Sequence, residues 1–480
     1  MASRPSPTNR RLRRLLAAAL LLGGAAALLL ALRTAAAETP VAEAPAATPP
    51  VAADPTAKLV AMADEVSKEV EALRGWTFKS PVKRQLVTAQ EARAWMEKEI
   101  ERQVPADEVE RSQAFLRMVG LLPADCDLKK TFLDIIEGQV GGYYDMTTKT
   151  LSMVRPDGGR TMPRLIQRTM VAHELAHALD DQYVDLEKVS KAHLRRSEDM
   201  DLVTASLFEG SATSLMTTYM MRMQLSGGAD PAELQAYAVE EMARGRVFEE
   251  SPRYFSSLLA TYLCGMQFLG RGNLVALMLT PDNKAVGQNL LAAVKDMPAS
   301  TEQILHPEKY WSAETRDEPV VVDDEGAGRL LARPGRHVVR ADTVGELLCA
   351  MLTTPKDAKA NLMMLQMASA WTNPAATGWG GDRFYLLASG ASPDAAAKDL
   401  KDLQGVWFTL WDTPEDRDEF LEAYARCAPA PAPVLMRLGT QGAVAMFGID
   451  EAERQALEKR LGESPPPMKR AGKPWSPWSL

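Results

Sequence analysis

His173-Glu174-Leu175-Ala176-His177 is the stretch on which the reading of this chain turns. It falls within a segment that reads as a helix over 164–183. Histidines at i and i+4 project from one face of a helix, so two imidazoles can reach a single ion, and zinc favours nitrogen ligands. Glu174 follows the first histidine and lies about 100° round the helix from it, near the ion without being forced to bind it. That placement suits a general base that takes a proton from a zinc-activated water. The chain holds only five histidines, two of them here. At that frequency a chance H-E-x-x-H has a probability on the order of 1%.

Two histidines leave a catalytic zinc one protein ligand short. The best candidate is Glu209, in Leu207-Phe208-Glu209-Gly210-Ser211-Ala212-Thr213, a carboxylate in the middle of an apolar helix. An acid in such a setting is costly unless a cation compensates it. Gly210, Ser211 and Ala212 have little side-chain bulk, so this helix is expected to come close to the histidine helix. Rival third ligands are His193, read as an exposed loop residue beside Arg195 and Arg196, and the acids Asp180 and Asp185. The longer H-E-x-x-H-x-x-G-x-x-H pattern is excluded, because Asp180 and Tyr183 stand where its glycine and last histidine belong. Asp180 lies two turns beyond His173 and Asp181 one turn beyond His177. Either could accept the second imidazole N–H and so orient a ligand.

The segment His173 to Gln182, with Glu209-Gly210-Ser211-Ala212, resembles the gluzincin clan of zincin metallopeptidases. More narrowly it is similar to uncharacterised exported prokaryotic proteins with an HELxHALxDQ helix followed by an EGxA helix. The resemblance extends to Ile304–Tyr310 and Gly378–Arg383. It implies His173, His177 and Glu209 as ligands of one zinc ion and Glu174 as base. It also implies that the upstream tyrosine-bearing hairpin is the edge strand along which zincins lay an extended peptide. The gap from His177 to Glu209 is longer than in thermolysin-like and aminopeptidase members. Peptide hydrolysis further needs a donor for the oxyanion. Tyr143, Tyr144, His306 and Tyr310 are the candidates, with His337 behind them.

The chain's ends read differently from its middle. Arg4, Arg10, Arg11, Arg13 and Arg14 precede an apolar run, residues 15–32, and Ala35-Ala36-Ala37 offers an A-x-A-type cleavage site. Residues 1–37 are therefore read as a signal peptide, with an uncleaved membrane anchor as the alternative. This predicts an exported protein, periplasmic or secreted, that meets a membrane only through residues 15–32 if they stay attached. The leader carries six of the 55 basic residues and none of the 63 acids, so residues 38–480 have a net charge of −14. So acidic a chain has no footprint for nucleic acid. Cys126, Cys264, Cys349 and Cys427 form no C-x-x-C pair, and Cys264 and Cys349 read as buried thiols.

The expected fold class is α+β and predominantly helical. Residues 38–57 read as an Ala/Pro-rich tether, and 58–312 as a zincin-like catalytic domain of a small sheet with an edge strand plus the H-E-x-x-H helix. Residues 313–462 read as a C-terminal α+β region and 463–480 as a disordered tail. Within these, 139–145 and 150–154 read as paired strands and 187–200 as a polar connector. Helices are expected over 164–183, 201–223, 231–244, 253–269, 289–296 and 358–371. The functional expectation is a zinc metallopeptidase acting on a peptide or protein. The rivals are a non-catalytic zinc-stabilised scaffold and a zinc hydrolase of a non-peptide amide in the cell envelope.

Overall fold

The structure is a computed structural model. It describes residues 55–155, 162–193, 197–227, 246–280, 282–355, 368–466 and 468–470, with a few positions between 230 and 239. The leader and almost all of the tether lie outside the described residues, as does most of the helix expected over 231–244. Of the one expected over 358–371, only the 3-10 turn Ala368–Trp371 is described. Among the described residues no helix is long and apolar enough to cross a membrane.

Helix α1 (Pro55–Arg74) starts within the expected tether and buries Leu59, Val66, Val70 and Leu73 on one stripe. Strand β1 (Lys83–Val87) follows, then α2 (Ala89–Gln103), opened by a capping box between Thr88 and Glu91. Next come α3 (Ala106–Val119) and α4 (Leu128–Gln139). A hairpin of β2 (Gly142–Asp145) and β3 (Thr150–Val154) turns where Asp145 accepts the Thr147 and Thr148 N–H groups. Strand β3 pairs parallel with β1 and antiparallel with β2, which leaves β2 at a sheet edge.

Helix α5 (Arg164–Val184) carries the histidine pair across the interior with 17 of its 21 residues buried. The connector expected over 187–200 is partly helical: α6 (Leu186–His193) forms because Leu186 and Val189 bury on one side. That helix occupies the long gap before Glu209. Ser197 then caps α7 (Glu198–Leu225), which starts three residues earlier than expected because its first turn is also buried.

Helix α8 (Arg253–Leu269) packs along α7 at very short range. A Cβ on Gly210 would lie 2.2 Å from the Gly265 carbonyl carbon, and one on Gly265 only 1.9 Å from the Ser206 oxygen. Gly210 therefore admits α8, while α7 comes close to the histidine helix as expected, with Ser211 meeting α5. Gly265→Ala is expected to cost about 3 kcal/mol, because the clash is with backbone and cannot be relieved by a rotamer. A denaturant titration would show it as a lower unfolding midpoint at unchanged slope.

The remaining chain runs through α9 (Lys284–Lys295), which begins five residues earlier than expected, and α10 (Thr301–Leu305). It then forms β4 (Val320–Val322), α11 (Asp324–Leu331), β5 (Arg336–Asp342), α12 (Gly345–Leu352) and β6 (Trp379–Ser389). Helix α13 (Pro393–Asp399), β7 (Lys401–Trp411), α14 (Pro414–Cys427), β8 (Val434–Leu438), β9 (Gly442–Phe447) and α15 (Glu451–Glu463) follow. Strands β5-β6-β7-β9-β8 form one antiparallel sheet in that order. Alternation divides its faces. Phe384, Leu386, Trp407 and Phe447 join the core of the helical body, with the Phe384 ring 4.9 Å from that of Phe115. Tyr385, Leu387, Val406 and Phe408 pack instead with Leu330 of α11 and Leu457 of α15. Arg340 of β5 forms buried ion pairs with Glu108 of α3 at 2.7 Å and Glu198 of α7 at 3.0 Å.

The tail expected to be disordered contributes β10 (Met468–Arg470), antiparallel to β4. Three residues carry no pattern of their own, and the strand exists because β4 offers it an edge. The architecture is α+β and mostly helical.

Candidate metal centre

Helix α5 presents His173, Glu174 and His177 toward α7, which presents Glu209. The two Nε2 atoms are 3.1 Å apart, and the Glu209 Oε2 lies 3.3 Å from His173 Nε2 and 3.6 Å from His177 Nε2. A tetrahedral ion with ligand bonds of about 2.0–2.1 Å separates its ligands by about 3.3–3.4 Å, so the triangle has the size zinc requires. All three side chains are completely buried. Among the described residues neither Nδ1 atom and neither Glu209 oxygen has a hydrogen bond of ordinary geometry. An orphaned carboxylate in a dry interior is costly, and a cation in the triangle would compensate that of Glu209; the two Nδ1 atoms are not the ones that face it.

The electrostatics favour the same occupant. Burial lowers the pKa of both imidazoles, that of His177 to about 4, so both are neutral and offer lone pairs. Burial pushes the Glu209 carboxyl up, while His173 and the Tyr262 hydroxyl pull it down. Glu174 lies beside the cluster with its pKa raised well above the usual carboxylate range, by burial first and by the charge of Glu209 second. The Tyr144 N–H on β2 donates to its carboxylate and acts the other way. Strand β2 runs close here, since a Cβ on Gly142 would come 3.4 Å from Glu174 Cγ. One oxygen of Glu174, Oε2, has no partner among the described residues.

Arg74, the last residue of α1, is fully buried behind His177. Its guanidinium donates to Asp180 Oδ2 at 3.1 Å, Asn283 Oδ1 at 2.7 Å and Ser211 Oγ at 2.9 Å. Ser211 Oγ donates in turn to Asp180 Oδ2 at 2.6 Å. Asp180 thus stands one turn beyond His177 with its charge paired, and it raises the His177 pKa against the effect of burial. Arg74→Met removes the partner of a buried carboxylate and is expected to cost about 3–5 kcal/mol. Thermal unfolding of R74M beside R74M/D180N checks this: the double variant, with no charge left over, should recover part of the loss.

The other expected site residues lie elsewhere. Asp181 accepts from the Tyr144 hydroxyl, Lys149 Nζ and the Leu186 N–H, which ties the hairpin to α5 and orients no ligand. Tyr143 stacks on Trp95, and its hydroxyl is engaged by Ser152. His306 pairs with Glu346 at 2.9 Å, the Tyr310 hydroxyl donates to the Asp296 carbonyl, and His337 meets the Gly390 carbonyl. Asp185 accepts the Lys188 N–H, and His193 is the last residue of α6. Cys264 and Cys349 are buried free thiols.

Sequence reasoning missed Arg74 and Tyr262. Both reach the centre from helices distant in the chain, where neither spacing nor composition marks them. A second acidic group, Glu302, Asp317 and Asp412, surrounds Lys309 Nζ, which pairs with all three and offsets part of their charge.

No curated protein and no solved structure matches the chain. Residues 332–455, the five-stranded sheet with its helices, match a domain of unknown function, DUF8575, which leaves the histidine and glutamate cluster outside the matched segment.

Proposed function

We propose that this chain is an exported zinc-dependent peptidase of gluzincin type. The observation that carries the reading is the triangle of His173 Nε2, His177 Nε2 and Glu209 Oε2, with Glu174 beside it. The small β1-β3-β2 sheet with β2 at its edge, laid against the histidine helix, supports a zincin-like domain. When bound, zinc supplies a Lewis acid that polarises the scissile carbonyl and lowers the pKa of water toward about 7. Glu174 takes a proton from the attacking water and returns it to the leaving amine. The Tyr144 N–H holds the Glu174 carboxylate in place for this. Arg74, Asp180 and Ser211 brace the turn after His177 and limit the drift of that ligand.

A second reading, a zinc-stabilised scaffold without turnover, is favoured by one fact: His173, Glu174, His177 and Glu209 are at most 1% exposed. Metal analysis of the full-length protein with unbiased peptide-library cleavage separates the two. One zinc per chain with cleavage supports the peptidase; one zinc without cleavage leaves the scaffold.

A further inference from the structure

Tyr262 lies on α8 with its ring buried against Met216 and 6.2 Å from the His173 ring, the two nearly parallel. Its hydroxyl is directed at the Glu209 carboxylate, and the charges of Glu209 and Glu174 both act on it. Of the ten tyrosines, Tyr237 is outside the described residues. Each of the other eight commits its hydroxyl to a partner outside the cluster. Tyr254, for example, donates to Glu198, Tyr385 to Asp324 and Tyr424 to the Val119 carbonyl. His306 and His337 are likewise engaged elsewhere. The partner of Tyr262, Glu209, is the group whose oxygens the ion would claim.

We propose that Tyr262 is the donor that stabilises the oxyanion in the reaction proposed above, and the assignment rests on that reading. As the water oxygen bonds to the scissile carbon, the carbonyl π pair moves onto the carbonyl oxygen and Glu174 takes one proton of the water. The Tyr262 O–H hydrogen-bonds to that oxygen and keeps its own proton. When the C–N bond breaks, its electron pair leaves with the nitrogen, which collects the proton from Glu174, and the carbonyl re-forms. A neutral phenol fixed by packing costs no reorganisation at the moment charge develops.

Tyr262→Phe removes one oxygen atom and keeps the ring. In full-length, zinc-loaded protein kcat should fall about 10²- to 10³-fold, the range for loss of one oxyanion donor, with KM nearly unchanged. Zinc content and the absorption spectrum of the cobalt-substituted protein should match wild type, which a role in holding Glu209 or the metal would not allow. Turnover by Y262F within about threefold of an active wild type overturns this proposal alone. A lost metal or an altered cobalt spectrum also overturns it, making Tyr262 a positioning residue or a ligand. If zinc-loaded wild type cleaves no library peptide, the peptidase reading falls and this proposal falls with it.

Discussion

Glu174→Gln is expected to lower peptide hydrolysis by about 10²- to 10⁴-fold or more while the fold and the zinc content stay as in wild type. Glutamine keeps the shape of the side chain and can still accept the Tyr144 N–H, but it cannot take a proton from water. The protein environment alone pushes the Glu174 pKa up, and a dication held by His173, His177 and Glu209 pulls it back down. On the proposed mechanism, Glu174 would be ready as a base only with the metal bound. Zinc per chain and cleavage of one peptide, measured on the same preparations, test this directly. Equal rates for wild type and E174Q would remove Glu174 from the mechanism whatever the metal content.

The second large effect concerns the metal itself. A ligand that binds only the folded state stabilises it by about 4.1 kcal/mol when present at a thousand times its dissociation constant. Stripping zinc with a chelator, or substituting His173→Ala, should remove a stabilisation of that order. It should also leave Glu209 buried beside groups that no longer compensate it. Calorimetric unfolding with and without added zinc gives the measurement: wild type should show a zinc-dependent midpoint and H173A none. A wild-type midpoint indifferent to zinc would mean that the triangle is not a metal site. E174Q should keep the zinc response, which distinguishes base from ligand in one experiment.

What could be read in the sequence was whatever is local. The spacing of His173 and His177 and the apolar run around them are properties of one helix, and α5 spans 164–184 where 164–183 was expected. Thr413 with Pro414 and Asp416 is a helix start that needs no tertiary help, and the cap is present with both its hydrogen bonds. The hairpin of β8 and β9 likewise carries its own turn. Glu209 was legible because a carboxylate amid Leu202, Val203, Leu215 and Met216 requires a reason.

What could not be read depends on who packs against whom. Tyr262 looks like any aromatic in an apolar helix until α8 lies on α7. Arg74 looks like a favourable charge at a helix end until three other helices close over it. Asp181 and the tyrosine hydroxyls were misassigned for the same reason. Their partners, Lys149, Asp296 and Ser152, are chosen by the fold and not by the motif.

The inner face of the five-stranded sheet bears on how this chain can be cut. Residues 332–455 are the portion whose pattern recurs elsewhere, yet Phe384, Leu386, Trp407 and Phe447 lie against side chains such as Phe115 that belong to the first third of the protein. Arg340 would leave behind both Glu108 and Glu198. Excised at those boundaries, the sheet would present a broad aromatic face to water, with Arg340 reduced to its ion pair with Asp342, and that exposed face favours self-association over independent folding. A recurring stretch of sequence marks what is inherited together; the smallest piece of this chain that can stand alone is larger, because the helical body supplies the other half of the sheet's interior.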